Sequence, residues 1–140
     1  MKIKELARLA ARWGYKWSLW PPHLVTACCG VETGYLFGPA YDAERYGVLP
    51  MPGARHSNLL LIEGTLTMKM AKFVKWVYEQ MPQPKFVIAM GACSIKGGVF
   101  YGSYHMVPAS NVVKVDLYVS GCPPTPEAML KAIEELQKSI

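Results

Sequence analysis

Four cysteines are the residues of this 140-residue chain whose chemistry and spacing point most directly to a site. Cys28 and Cys29 are adjacent, whereas Cys93 and Cys122 are isolated far along the chain. Each position follows a short apolar run that is typical of a buried strand. Because the carboxyl ends of parallel strands lie along one edge of a sheet, where ligands bind, the four thiols are predicted to meet in space.

Four converging thiols have three candidate roles. Structural zinc sites usually use cysteines two to four residues apart, which argues against a zinc ribbon here. An iron–sulfur cluster tolerates widely spaced ligands, because each iron takes one sulfur. The third possibility is four unrelated buried thiols that bind nothing, since free cysteines are among the residues most often buried. Glycines within two residues of the cysteines would admit backbone N–H groups to a cluster; they are Gly30, Gly91 and Gly121. The pattern favours the cluster.

The elements that must position these cysteines follow from hydrophobic spacing and from breaks at Pro and Gly. Helices are predicted over residues 2–18, 67–80 and 126–138, with one or two short helices in 31–46. Strands are predicted over residues 23–27, 46–49, 58–63, 85–90 and 112–119. Residues 94–110 are predicted to form a long functional loop. Strands that alternate with helices predict one α/β domain, a flavodoxin-like doubly wound parallel sheet.

The composition narrows the function classes. A chain with 51% hydrophobic residues is not disordered, and its longest aliphatic run, residues 59–62, is too short to span a bilayer. The first residues lack the apolar core of a leader, so we expect a cytosolic protein with reduced cysteines. The net charge of +5 comes without a block of Lys and Arg, and nucleic acid is not an expected partner. A nucleotide-binding module is the weaker alternative, because Gly-rich phosphate motifs are lacking.

The first 20 residues are predicted to form an amphipathic docking helix ahead of a cysteine-bearing domain at 21–140. Three of the four tryptophans fall in this segment: Trp13, Trp17 and Trp20. A basic helix with aromatic anchors can lie on an anionic membrane surface or dock on a partner subunit.

Several segments together resemble one known family. They are CCGVE at 28–32, YDAERYG at 41–47, GTLTMKM at 64–70, MGAC at 90–93 and VSGCPPTPE at 119–127. The chain, over about residues 18–140, resembles the small iron–sulfur subunit of respiratory complex I, the PSST family. That family includes the small subunits of membrane-bound [NiFe]-hydrogenases.

The resemblance implies a cofactor and a set of partners. It implies one [4Fe-4S] cluster on Cys28, Cys29, Cys93 and Cys122, the last cluster of an electron chain. Electrons would arrive from a ferredoxin-like subunit with two clusters and leave to an acceptor at the interface with a large catalytic subunit. With membrane-arm subunits in the same ion-pumping complex, this chain would be a peripheral subunit at the cytoplasmic face of the cell membrane. In such a complex, docking on a subunit is favoured for the N-terminal helix.

Two sequence features that resemble different branches of the family bear on the terminal electron acceptor. The tandem Cys28-Cys29 pair is similar to complex I, whereas Gly30 and the stretch PGARH at 52–56 are closer to the ion-pumping hydrogenase branch. This combination resembles the archaeal membrane-bound sulfane sulfur reductases. Sulfane sulfur or polysulfide is therefore the favoured acceptor, followed by quinone and then by a group 4 hydrogenase reaction.

Three further residues are candidates for proton coupling or for lining the acceptor site. Glu32 lies just past the cysteine pair, and the family implies an acid there that couples protonation to reduction. Arg55 and His56 precede a predicted strand, and the family implies basic residues near the cluster or the acceptor. The alternative for Glu32 is a solvated carboxylate without a role in the site. The alternative for Arg55 and His56 is a pair of surface residues at the start of a strand. His23 and His105 have no role that the sequence assigns.

Overall fold

The computed structural model describes residues 3–22, 24–50 and 53–140. The helices are α1 (Ile3–Lys16), α2 (Cys29–Leu36), α3 (Met68–Gln80), α4 (Gly91–Lys96) and α5 (Pro126–Ser139). The strands are β1 (Leu59–Glu63), β2 (Phe86–Met90) and β3 (Leu117–Val119). Short 3₁₀ turns occur at Ala43–Tyr46, Ala54–His56, Gly98–Phe100 and Ala109–Asn111.

The three strands form a parallel sheet in the order β1-β2-β3. Glu63 is paired with Met90, and Met90 is paired with Val119. These three residues end their strands, so the chain segments that follow all leave the sheet at one edge. We call this edge the carboxyl edge and the opposite one the amino edge.

Both faces of the sheet are buried, which is why its strands are nearly continuous apolar runs. Leu59 and Leu61 share one face with residues of α2 and α5, including Leu36 and Ile133. The other face packs against α3 and the turn at Ala109–Asn111. Helices therefore cover the sheet on both sides, and the predicted doubly wound α/β fold is confirmed.

Local signals define α3 and α5 as predicted. The hydroxyl of Thr67 accepts a hydrogen bond of 3.2 Å from the N–H of Met70, and that of Thr125 accepts one of 3.4 Å from Ala128. Both threonines are N-caps, which satisfy N–H groups that have no partner within the helix. Pro126 stands at the first helical position, where its missing N–H costs nothing.

Two predicted strands near the N-terminus are wrong. Residues 24–27 are not a strand, and His23, which was predicted to begin it, lies outside the described residues. Residues 46–49 contribute only an isolated bridge between Leu19 and Val48. Gly47, in a left-handed conformation at φ 79°, ends the preceding 3₁₀ turn and leaves no length for a strand.

The segment between β2 and β3 also differs from its prediction. The predicted loop at 94–110 begins inside α4 and contains two further helical turns. The predicted strand at 112–119 shrinks to β3, because Val113 turns into the core against the α3 side. Asp116 lies directly before β3. Its carboxylate accepts a 2.9 Å hydrogen bond from the backbone N–H of Val87 in β2.

The N-terminal helix, predicted over 2–18, is α1 over Ile3–Lys16, and Lys2 lies outside the described residues. No side chain of α1 is buried. Within the described ranges, no helix has the length and apolar character needed to cross a membrane.

Candidate functional site

The four cysteines lie around the carboxyl edge. Cys93 is the third residue of α4, directly after β2, and Cys122 lies in the turn after β3. Cys28 and Cys29 stand at the start of α2 rather than after a strand, so that part of the prediction is corrected. The segment before them still reaches this edge, because the Thr26 hydroxyl donates a 2.8 Å hydrogen bond to the carbonyl of Glu63.

Backbone contacts draw the cysteine-bearing segments together. The N–H of Ala92 donates a 2.8 Å hydrogen bond to the carbonyl of Gly121, which joins the Cys93 and Cys122 segments. Gly91, at φ 85°, lies directly against Cys29: a Cβ atom added there would be 2.5 Å from its Sγ atom. All three segments therefore meet at Gly91.

Burial and mutual proximity set the chemistry of these thiols. All four are free; Cys29 and Cys93 are buried, whereas Cys28 and Cys122 are exposed. Burial, with smaller contributions from the charges of Cys28, Cys93 and Cys122 and a hydrogen bond with Cys28, raises the pKa of the Cys29 thiol to about 12. Each of the other three thiols is thus close enough to act on Cys29. That the four thiols hold one common group stays a prediction.

The four thiols are a donor set that suits an iron–sulfur cluster or zinc. Thiolates are the soft ligands that iron–sulfur clusters and zinc prefer. Across the parts of the chain that the structure describes, no three His, Cys, Asp or Glu side chains are grouped closely enough to hold one metal ion. Because Gly91 has no side chain, the Sγ atom of Cys29 can lie directly against its backbone.

A buried carboxylate that sequence reasoning missed lies next to the cysteines. Glu63, the last residue of β1, is 4% exposed, and its Oε2 atom has no hydrogen-bond partner among the described residues. Burial raises the pKa of Glu63 to about 7, while a hydrogen bond with Thr33 acts in the opposite direction. A Cβ atom added at Gly30 would lie 2.7 Å from Oε2. An acid that ends an apolar strand just before a glycine was the available signal.

The other predicted site residues divide between the two edges of the sheet. Glu32 is half-buried in the first turn of α2, on the same helix as Cys29. Arg55 and His56 are exposed at the amino edge, where they border a cavity of about 430 Å³ with Trp76. The five residues of β1, roughly 16 Å long, separate them from the cysteines. The structure brings Glu32 to the cysteines but not Arg55 and His56.

Exposed apolar side chains occur on α2 and on the turn after α4, the helices that carry Cys29 and Cys93. Val31 follows the cysteine pair on α2, and the turn after α4 carries Val99, Phe100 and Tyr101; all four are exposed. His105, which had no assigned role, lies farther along this segment, where its ring stacks on that of Tyr104 with centroids 3.9 Å apart. An exposed apolar patch of this kind marks an interaction surface.

The chain is similar in sequence to components of quinone oxidoreductases. It is 48% identical over 132 residues to the chloroplastic NAD(P)H-quinone oxidoreductase subunit K of Solanum bulbocastanum, covering 93% of this chain and 59% of that protein. It is 47% identical over 130 residues to an NADH-quinone oxidoreductase subunit of Carboxydothermus hydrogenoformans, covering 91% and 78%. The chain thus spans only about three-fifths of the length of the chloroplastic relatives.

Two solved structures share the fold. A chain of an archaeal respiratory complex, the membrane-bound sulfane sulfur reductase, matches 92% of this chain and 73% of its own length, with a TM-score of 0.88 and 38% identity. A chain of the NAD⁺-reducing [NiFe]-hydrogenase matches 87% of this chain and 90% of its own length, with a TM-score of 0.58 and 20% identity. The second likeness concerns the fold alone.

The fold and these relatives define a small α/β protein with a cysteine-bearing edge. The chain belongs to the family of the 20 kDa subunit of NADH ubiquinone oxidoreductase, which matches its residues 27–136. This confirms the resemblance that the sequence motifs indicated.

Proposed function

We propose that this chain is an electron-transfer subunit in which Cys28, Cys29, Cys93 and Cys122 hold one [4Fe-4S] cluster. The observation that carries the proposal is the buried Cys29 thiol, on which the other three thiols act. When bound, a cluster of this type exchanges single electrons, at a potential that the surrounding protein tunes. The chain supplies ligands and an environment, and bond chemistry is left to other subunits.

The chain's own residues prepare this site. The thiols must lose their protons to become ligands, so binding of the group releases protons. Gly91 lets the Cys29 thiol pack against the backbone at the start of α4, because it has no side chain. Glu32, on the helix that begins at the cysteine pair, is proposed to take up a proton when negative charge is added nearby, because that charge raises the proton affinity of a carboxylate.

The partners follow from the family and from the surface. The exposed apolar patch around the cysteines suits a large catalytic subunit, which would cover Cys28 and Cys122. A ferredoxin-like subunit with two clusters would supply electrons, and membrane-arm subunits would place the complex at the cytoplasmic face of the cell membrane. Arg55 and His56 are not proposed to line the acceptor site, because they border a cavity at the amino edge, away from the cysteines that the large catalytic subunit would cover.

Two acceptors are supported by different observations. Sulfane sulfur or polysulfide is our first candidate, supported by the structural match to the archaeal reductase over 92% of this chain. Quinone is the second candidate, supported by the higher identity of 47–48% to subunits of quinone oxidoreductases. The hydrogenase reaction is supported only by a similarity of fold to the NAD⁺-reducing [NiFe]-hydrogenase chain.

Metal analysis and acceptor assays test these proposals separately. The complex that contains this chain, purified without oxygen, should contain iron and sulfide and no stoichiometric zinc. The reduced complex is then mixed with polysulfide or with a soluble quinone, and its reoxidation is followed. Faster reoxidation by polysulfide supports the first candidate. Reoxidation by the quinone alone replaces it with the second and leaves the relay role intact.

A further inference from the structure

The helix α1 presents its apolar side chains to solvent. Ile3 is 87% exposed and Trp13 is 69% exposed, and Leu6, Leu9 and Trp17 are also exposed. In a folded domain, large apolar residues are normally removed from water. A patch of this size on one helix therefore indicates a surface that something else covers.

The two sides of α1 differ in chemistry. At 100° per residue, one side collects apolar and aromatic residues: Ile3, Leu6, Ala10, Trp13 and Trp17. The opposite side collects four basic residues: Lys4, Arg8, Arg12 and Lys16. Glu5 is the one acidic residue of the helix, so α1 carries a net charge of +3, from four basic residues and one acidic residue.

The attachment of α1 leaves its apolar side free. Arg12, on the basic side, donates a 2.7 Å hydrogen bond from Nε to the carbonyl of Ile140. Ala11 and Tyr15 border a cavity of about 500 Å³ that separates α1 from Asn58 and residues 82–84. The helix thus lies along the amino edge of the sheet, with its apolar side away from these contacts.

All four tryptophans lie at this end of the molecule. Trp20 is held at the amino edge. Its backbone N–H donates a 2.7 Å hydrogen bond to Oδ1 of Asn58, the residue before β1. Trp76 borders the cavity of about 430 Å³ that shares His56 with the cavity beside α1. Trp13 and Trp17 belong to α1 and its end. The cysteines, by contrast, lie at the carboxyl edge.

We infer that α1 lies in the surface of an anionic lipid bilayer, instead of on the partner subunit that the family resemblance favours, with the amino edge toward the membrane and the cysteine edge away from it. An amphipathic helix with a basic polar side and Trp anchors has the composition that binds such surfaces. Tryptophan collects where apolar lipid meets water, and basic residues near the surface are attracted by anionic headgroups. This orientation concerns a different part of the chain from the cysteines and does not depend on the proposed relay.

Vesicle binding by the full chain, purified without oxygen, tests the inference. Vesicles of phosphatidylcholine, with or without phosphatidylglycerol, are sedimented, and the bound protein is measured. We expect binding to the phosphatidylglycerol vesicles that weakens as salt is raised. Trp13→Glu should reduce the partition coefficient by roughly tenfold or more, because a Trp side chain can no longer enter the apolar layer. Val99→Glu, at a 78% exposed residue of the carboxyl edge, is the matched control and should bind as the wild type does.

A second variant removes charge instead of apolar surface. Arg8→Glu keeps the apolar side of α1 and should bind less to phosphatidylglycerol vesicles at low salt. Failure of the wild-type chain to bind either kind of vesicle would overturn the inference and favour a protein partner for α1. Equal binding by wild type, Trp13→Glu and Arg8→Glu would overturn it as well. Iron content and circular dichroism are measured on every variant, so that loss of the cluster or of the fold is recognised separately.

Discussion

Gly91 and Cys29 lie so close together that a Cβ atom at position 91 would be 2.5 Å from the Sγ atom of Cys29. Real Cβ atoms essentially never make contacts below 3.0 Å, so one of the two segments would have to move. Gly91 also has a φ of 85°, which side chains other than glycine rarely adopt. The geometry of the cysteine edge therefore depends on this glycine.

Substitution of Gly91 by alanine should disturb the cysteines without removing a thiol. We expect Gly91→Ala to lower the iron content of the purified complex, because the Cys29 side chain is displaced. The control is Gly34→Ala in α2, where an added Cβ meets nothing within 4 Å. That variant should keep its iron and gain roughly 0.5–1 kcal/mol from improved helix propensity. Full iron content in Gly91→Ala would show that the site tolerates the displacement.

The buried carboxylate of Glu63 predicts a pH-dependent stability. Its pKa is raised to about 7 from an ordinary 4.5, so the folded chain holds this proton more tightly than the unfolded chain does. Stability from this group is fully present below about pH 4.5 and is lost as the pH rises through 7. At about 1.4 kcal/mol per pKa unit, the loss above pH 7 is roughly 3 kcal/mol.

Replacement of Glu63 by glutamine should remove this loss. Glu63→Gln is expected to match the wild type near pH 4 and to exceed its free energy of unfolding by up to roughly 3 kcal/mol at pH 8. Urea unfolding at a series of pH values measures the difference. Glu79→Gln, which alters an exposed carboxylate on α3, is the matched control. Parallel pH profiles for Glu63→Gln and the wild type would contradict the raised pKa.

Much of the fold could be predicted because its signals are local. β1, α3 and α5 are marked by apolar runs, by threonine caps and by Pro or Gly at their ends. The predicted strands at 23–27 and 46–49 are wrong over their described residues, and the one at 112–119 is wrong before Leu117, because a strand needs a neighbour to pair with as well as apolar residues. That pairing depends on residues far away in sequence, and it is not visible in the segment itself.

The cysteine site was predicted in part for a reason that does not hold. Cys28 and Cys29 reach the carboxyl edge without a preceding strand, held there by the contact of Thr26 with Glu63. Glu63 escaped notice because its burial arises from tertiary contacts. Arg55 and His56 are separated from the cysteines because they precede β1, whereas the cysteines lie at the edge where the strands end.

Glu32 should influence how the reduction potential of the site varies with pH. If it takes up a proton on reduction, the potential falls as the pH rises, and Glu32→Gln makes this dependence shallower. Potentiometric titration of the complex at several pH values measures the slope. Glu44→Gln, at an exposed carboxylate of the 3₁₀ turn Ala43–Tyr46, serves for comparison. An unchanged slope in Glu32→Gln would remove Glu32 from proton coupling.

Asn58 should stabilise the connection from α1 to the sheet. Its side chain accepts a hydrogen bond from the N–H of Trp20 and donates one to the carbonyl of Ser18, both at 2.7 Å. Asn58→Ala leaves both backbone groups without that partner and should cost roughly 1–3 kcal/mol in the free energy of unfolding. Asn111→Ala, at an exposed turn position, should cost little by the same urea measurement. Equal costs for both variants would show that these two hydrogen bonds carry no special weight.

The most direct test of the central claim is low-temperature EPR of the reduced complex, comparing the wild type with Cys93→Ala. Other subunits contribute clusters of their own, so the difference between the two spectra isolates the one assigned to this chain. We predict that Cys93→Ala loses one [4Fe-4S] signal, together with the corresponding iron and sulfide, while the remaining signals persist. Identical spectra and iron contents would contradict the account, because the four cysteines would then hold no cluster.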